Sequence, residues 1–244
     1  MTTTLATFRN QVDENLGDKT DTDIYDSAAR DVQIQAAVET YSRDVPRLVA
    51  SDVTGDAGHY YPLTGESKVL ASWVDDFSQI VAIEYPAAVV ASDELPQYLE
   101  PEDWRDDYEA SSVVYLLLPN HAPAATEKLR VTYTAPHVFT SAATTTPTQH
   151  FYAICYLAAA YCCRAIAASY SNTSDSTISA DSVAHTSKAG EFSRRAAEFA
   201  KLYREALGLD GGKGKTERPA AAFVDWDTAP SWPAGRGWVY HRNR

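Results

Sequence analysis

Residues 178–208 read ISADSVAHTSKAGEFSRRAAEFAKLYREALG, and their periodicity decides the fold. Phe192, Ala196, Phe199, Tyr203 and Ala206 recur at spacings of four and three, which places them on one stripe of a helix. Glu191, Arg194, Arg195, Glu198, Lys201, Arg204 and Glu205 fill the remaining positions, with Glu191 to Arg195 and Lys201 to Glu205 at pairing distance. Ser187 suits the cap at its start and Gly208 a left-handed stop. A helix with one apolar stripe must bury it, so the stretch predicts a packed helical bundle in which Phe192, Phe199 and Tyr203 serve packing within the bundle or between copies.

Working outward, residues 151–170, FYAICYLAAAYCCRAIAASY, predict the preceding helix. The segment is long enough to tempt a membrane reading. Arg164, four tyrosines and a largely alanine apolar content argue instead for a helix buried on most sides, where small side chains let neighbours approach closely. A polar loop of Ser, Thr and Asp joins the two helices over residues 171–186. Near the N-terminus, Leu5, Phe8, Val12 and Leu16 mark a short helix ending at Gly17. A second starts near Thr22 or Asp23, with Ile24, Ala28, Val32, Ile34, Val38 and Tyr41 on its inner side. Pro46 pushes the preceding residue out of the helical region, so YSRDVPR (41–47) is a helix end turning into extended chain.

Between these pairs of helices the texture changes to prolines, glycines and short β-branched runs. Residues 128–134 alternate, with Leu129, Val131 and Tyr133 facing one way and Lys128, Arg130 and Thr132 the other. Residues 80–85 and 113–118 are further strands, and 69–77 read as a strand or a short helix with an acidic turn. The acidic stretch ELPQYLEPEDWRDDYEA (94–110) reads as a surface excursion anchored by Tyr98, Leu99 and Trp104. The expected class is α+β: a four-helix bundle of two N-terminal and two C-terminal helices (residues 1–47 and 148–209), an inserted antiparallel β domain (48–147) and an extended C-terminal arm (210–244). No internal repeat is visible.

Composition bounds the function. The 244 residues carry a formal charge of −12, which opposes any role that grips phosphates through lysine and arginine. Acidic walls repel a duplex and leave it mobile, which suits passage of DNA and not its capture. Cys155, Cys162 and Cys163 lie in one apolar run without a metal-binding spacing, and read as small buried hydrophobes of a reducing compartment. MTTTLATFRNQVDEN has no basic region followed by an apolar core, so no export signal is expected.

Catalytic readings are weak. Acidic residues cluster at Asp75 and Asp76 and across 100–109, but a carboxylate pair needs one member in an apolar pocket beside a cleft. His59, His121, His137, His150, His185 and His241 show no spacing that places two ligands on one helix face. Asp181, Ser182, His185 and Ser187 stand too close together for a triad, whose members need separate elements to fix them. GLDGGKGK (208–215) lacks the spacing and the strand-to-helix context of a phosphate loop. The expectation is no catalytic, cofactor or metal site; a small hydrolase using Asp75, Asp76, Asp106 and Asp107 is the alternative from another class.

The segment 216–244 carries Phe223, Trp226, Trp232, Trp238 and Tyr240 among prolines and glycines, without helical period. Such aromatics either fold back on their own domain or anchor the arm in a partner, where Trp and Tyr supply much of an interface's energy. Arg236, Arg242 and Arg244 give the end a basic character opposite to the body, which suits an acidic partner surface.

YSRDVPR, WVDDFSQIVAIEYP, LRVTYTAPH, YLAAAYCCRAIAASY and the opening stretch, which together span most of residues 41–208, resemble the head-to-tail adaptor (connector) proteins of long-tailed bacteriophages. The resemblance implies a virion protein of the neck, assembled in the host cytoplasm, that forms a homo-oligomeric ring, commonly of twelve copies, beneath the portal. It implies a C-terminal arm that reaches the portal through Phe223, Trp226, Trp232, Arg236, Trp238, Tyr240 and Arg242, a second end offered to a stopper or tail-completion protein, and a lumen that passes DNA without reading its sequence. No membrane is implied. Another neck or tail-completion protein is the nearest alternative.

Overall fold

The computed structural model describes residues 4–17, 26–87, 95–110, 112–140, 144–172 and 185–209. Within them the chain is mixed α+β, with four α-helices and two antiparallel three-stranded sheets. The order is α1 (Leu5–Leu16), α2 (Ser27–Asp44), β1 (Arg47–Thr54), β2 (Tyr60–Pro62), β3 (Ile80–Glu84), β4 (Arg105–Ala110), β5 (Val113–Leu117), β6 (Lys128–Ala135), α3 (Phe151–Asn172) and α4 (His185–Ala206).

Local chemistry sets the helix limits. At the start of α1, the Thr4 hydroxyl accepts from the Thr7 N–H and the Thr7 hydroxyl from the Thr4 N–H, a reciprocal cap. Gly17, at φ +77°, ends the helix in the left-handed region where a side chain is strained. α2 closes at Asp44, two residues before Pro46, and the chain runs straight into β1 as the proline predicts. Gly208, at φ +67°, follows α4 and donates to Glu205 O.

The alanine-rich α3 is the hub of the helical part: α1, α2 and α4 each pack against it, and contact between α1 and α2 is slight. Ala153, Ala158, Ala159 and the three cysteines are buried among Phe8, Val12, Ile34, Tyr41 and Ala196. By length and composition residues 148–171 could cross a membrane, yet most of this segment is buried inside the protein. A second core lies between the sheets, where Leu129, Val131 and Tyr133 of β6 meet Leu63, Leu70, Ile83, Leu116 and Leu118.

β6 is the centre of the first sheet, ordered β1-β6-β3, and β5 of the second, ordered β2-β5-β4. β1 pairs with β6 in unbroken antiparallel register from Arg47↔Ala135 to Thr54↔Lys128. The alternation read in β6 is present: Leu129, Val131, Tyr133 and Ala135 are buried, while Arg130 stands on the outer face between Asp52 of β1 (2.8 Å) and Glu84 of β3 (3.2 Å). Opposite charges thus tie all three strands across one face.

Several expectations are corrected. Residues 69–77 form neither strand nor helix but successive turns that bury Leu70 and Trp73. The acidic stretch is no simple excursion: Leu99 and Trp104 pack against the sheet core as expected, but Tyr98 is 61% exposed and residues 105–110 form β4. On α2, Ile34, Val38 and Tyr41 point inward, whereas Val32 is 63% exposed and Ala28 is exposed too. The inward position one turn before Ile34 belongs to Arg30, 3% exposed and ion-paired with Asp13 of α1. A buried cation with a partner replaces the aliphatic residue that periodicity favours. The helix is described from Ser27; Thr22, Asp23 and Ile24 lie outside the described residues.

Candidate functional site

Phe192 and Phe199 of α4 pack on α3 of their own chain. Phe199 stacks on Tyr156 with ring centroids 6.3 Å apart, and Phe192 on Tyr170 at 5.9 Å. Tyr203 is buried and its hydroxyl donates to Asp44 Oδ2 at 2.6 Å, joining α4 to the last residue of α2. Burial, and then the bond to Asp44, push the Tyr203 phenol well above its ordinary range. The deepest line of the helix is Ala196, Ala200, Tyr203 and Leu207, rotated by roughly 50° from the predicted stripe at 100° per residue. Small side chains lie deepest there because α3 approaches closely, the two phenylalanines flank the contact, and Ala206 is exposed. The helix begins at His185, so Ser187 stands in its first turn and not ahead of it.

Beside Tyr203 opens a cleft of about 390 Å³ lined by Asp44, Leu157, Tyr161, Arg164, Arg204 and Leu209, with Ala200 and Tyr203 completing its wall. Tyr161 shares a hydrogen bond with Thr40 at 3.0 Å, and Arg164 lies over its ring. The cleft offers guanidinium groups, a phenol and a carboxylate already engaged by Tyr203, so it can hold a polar or aromatic group but sets no nucleophile against a base. Leu209 is the last described residue; Phe223, Trp226, Trp232, Arg236, Trp238, Tyr240 and Arg242 of the arm lie outside the described residues.

Where the chain passes between its helical and β parts, residues that look scattered in sequence converge. Tyr41 of α2 hydrogen-bonds His150 Nδ1 at 2.6 Å and packs against the His137 ring at 5.0 Å. The ring nitrogens of His137 face two carbonyls, Val45 O at 3.0 Å and Thr145 O at 3.1 Å, and its own N–H donates to Ser42 Oγ. His137 therefore links the end of α2 to the segment leaving the β part. Burial lowers the pKa of His137 against its two carbonyl bonds, lowers that of His150, and raises Tyr41 to about 12. These bonds make the arrangement a clamp.

Asp75 and Asp76 occupy an exposed turn, and Asp106 accepts from the Ile80 N–H at 3.3 Å. Asp181 and Ser182 lie outside the described residues. Among the described residues no group of three His, Cys, Asp or Glu side chains could hold a metal ion. The cysteines are buried, free thiols whose pKa burial raises, Cys162 to about 12.

Sequence reasoning missed Arg195, which it placed on the polar surface. Its guanidinium donates to the carbonyls of Asn15 (3.2 Å) and Leu16 (3.1 Å), satisfying the open end of α1, and lies over the Phe192 ring. Position 195 falls at the rim of the stripe, and that was the available signal. Compared with known proteins, the chain matches no family model and no curated protein.

Proposed function

We propose that the protein is a head-to-tail adaptor of a long-tailed phage: a structural subunit that builds a ring under the portal, presents its other end to a stopper or tail-completion protein, and lets DNA slide through the lumen. In this reading the four helices act as one bundle, the β part is an insertion between its halves, and residues 210–244 form the arm that docks on the portal. The observation that carries it is the order of elements, two helices before the sheets and two after, with α3 packed against helices from both sides of the insertion. The acidic surplus supports passage of DNA without capture. The hydrogen-bonding chemistry supports a structural role, since the half-buried polar groups at Asp44, His137 and Arg195 tie elements together.

The test is to mix the full-length protein with its portal and image the complex by negative stain, beside a chain ending after Leu209 and a full-length Trp232→Ala/Trp238→Ala variant. Ring-shaped density under the portal is expected for the wild type alone. Absence of binding by the full-length chain, or equal binding by all three proteins, defeats the proposal.

A further inference from the structure

Each sheet ends in two edge strands, and the fold treats its four edges unequally. The edge of β3 is covered, since Leu99 N donates to Ile83 O (2.8 Å), Tyr85 N to Gln97 O (2.9 Å) and Ile80 N to Asp106 Oδ2. β2 is three residues long, ends in Pro62, and gives its last carbonyl to Val69 N. Among the described residues no strand pairs with the outer edge of β1 or of β4. Among the described residues, β6 is the only element packed extensively on β1, and β5 the only one on β4.

An open edge invites another strand unless proline, lysine, a bulge or an unpaired charge discourages it. β1 runs eight residues, RLVASDVT, without bulge, proline, glycine or lysine, and its acidic residue Asp52 is already neutralised by Arg130. β4 has a bulge between Arg105 and Tyr108 and is regular from Tyr108 to Ala110. Each open edge also exposes a large apolar side chain, Leu48 (59%) on β1 and Tyr108 (40%) on β4. The charges are complementary: Arg47 of β1 and Lys128 of the adjacent β6 on one side, Glu109 of β4 on the other.

We propose that copies of this chain join edge to edge, β1 of one subunit pairing with β4 of the next. The contact is heterologous: each subunit uses one edge on either side, so the pairing propagates and closes into a ring when the rotation allows. It shelters Leu48 and Tyr108 together and gives the outward backbone groups of both strands partners. The inference rests on the self-assembly part of the adaptor reading and names the surface that performs it.

The test uses the full-length chain and two side-chain variants at exposed positions, Leu48→Asp and Tyr108→Asp, with mass followed by analytical ultracentrifugation across concentration and folding checked by circular dichroism. The wild type is expected to associate, and each variant to raise the association Kd at least about tenfold by setting a charge in the contact. Mixing the two variants is the decisive arm. The first keeps an intact β4 and the second an intact β1, so the mixture forms one-to-one pairs and nothing larger. A wild type that stays monomeric, variants that associate like the wild type, or a mixture that forms no pair overturns the proposal. Portal is absent from this experiment. A chain that assembles but ignores portal therefore sinks the adaptor reading alone, and a chain that binds portal with neither variant altering its assembly sinks this one alone.

Discussion

Replacing Tyr203 with Phe removes a single oxygen and tests how the last helix is fixed to the second. That hydroxyl is in a buried side chain and donates to Asp44 Oδ2 at 2.6 Å, a bond to an ionised acceptor. Hydrogen bonds of this kind contribute about 1.5–3 kcal/mol. Asp44 is half-buried and borders the cleft, so its freed oxygen can recover water, which places the expected loss near the lower end, about 1.5–2 kcal/mol. For a chain of this size the loss corresponds to a fall in Tm of roughly 3–8 °C. Urea denaturation of the wild type, Tyr203→Phe, Asp44→Asn and the double variant gives the cycle, and a coupling of at least about 1 kcal/mol is expected between the two groups. A single-variant loss under about 0.5 kcal/mol, or additivity in the cycle, refutes the claim that this bond carries the α2–α4 contact.

His137 and His150 have folded pKa values held below the ordinary value near 6.5, chiefly by burial, so the unfolded chain binds more protons as the pH falls. Their contribution to stability is complete above about pH 6.5 and is lost as the pH falls through the lowered values; His137→Gln should flatten the slope of unfolding free energy against pH below that point, and an unchanged slope rules His137 out as its source. Gly55→Ala would set a Cβ 2.3 Å from Pro123 O and 2.4 Å from Ala124 O, both backbone atoms, and should cost roughly 3 kcal/mol in denaturation, at the top of the overpacking range. Cys155, Cys162 and Cys163, buried with raised pKa, should resist iodoacetamide at pH 8 in the native protein and react once it is unfolded; prompt native labelling, read by mass spectrometry, would contradict the burial described for α3.

α1, α4 and β6 were legible because each carries a regular apolar period, and α3 because its apolar run is long enough to be a helix. YSRDVPR gave the turn from α2 into β1 through Pro46, and Gly17 and Gly208 marked the two stops. What escaped was set by contacts between distant parts of the chain. β4 carries RDDYEA, a poor strand sequence by composition, and is held as one by its ladder to β5 and by Asp106 at the Ile80 amide. Arg30 enters the helical core because Asp13, seventeen residues earlier, awaits it there. The clamp of Tyr41, His137 and His150 spans 109 residues, and no local spacing announces it. Of the proposed site, the α4 stripe was readable, whereas the open edges of β1 and β4 exist only once strand order is known.

The grip of Arg195 on the closing carbonyls of α1 has a temporal side. Donor and acceptors are 179 and 180 positions apart, so the carbonyls of Asn15 and Leu16, beyond those bonded by Gly17, wait for this guanidinium until α4 is being made. At about 5–20 residues per second this interval is some 10–40 s. Within it the strands 47–135 are already complete and free to pair, while the apolar sides of α1 and α2 wait bare for α3 and α4. The nascent chain is thus most in need of a chaperone around α1 and α2, and ribosomes stalled ahead of residue 195 should hold a β part that resists protease beside a pair of helices, α1 and α2, that does not.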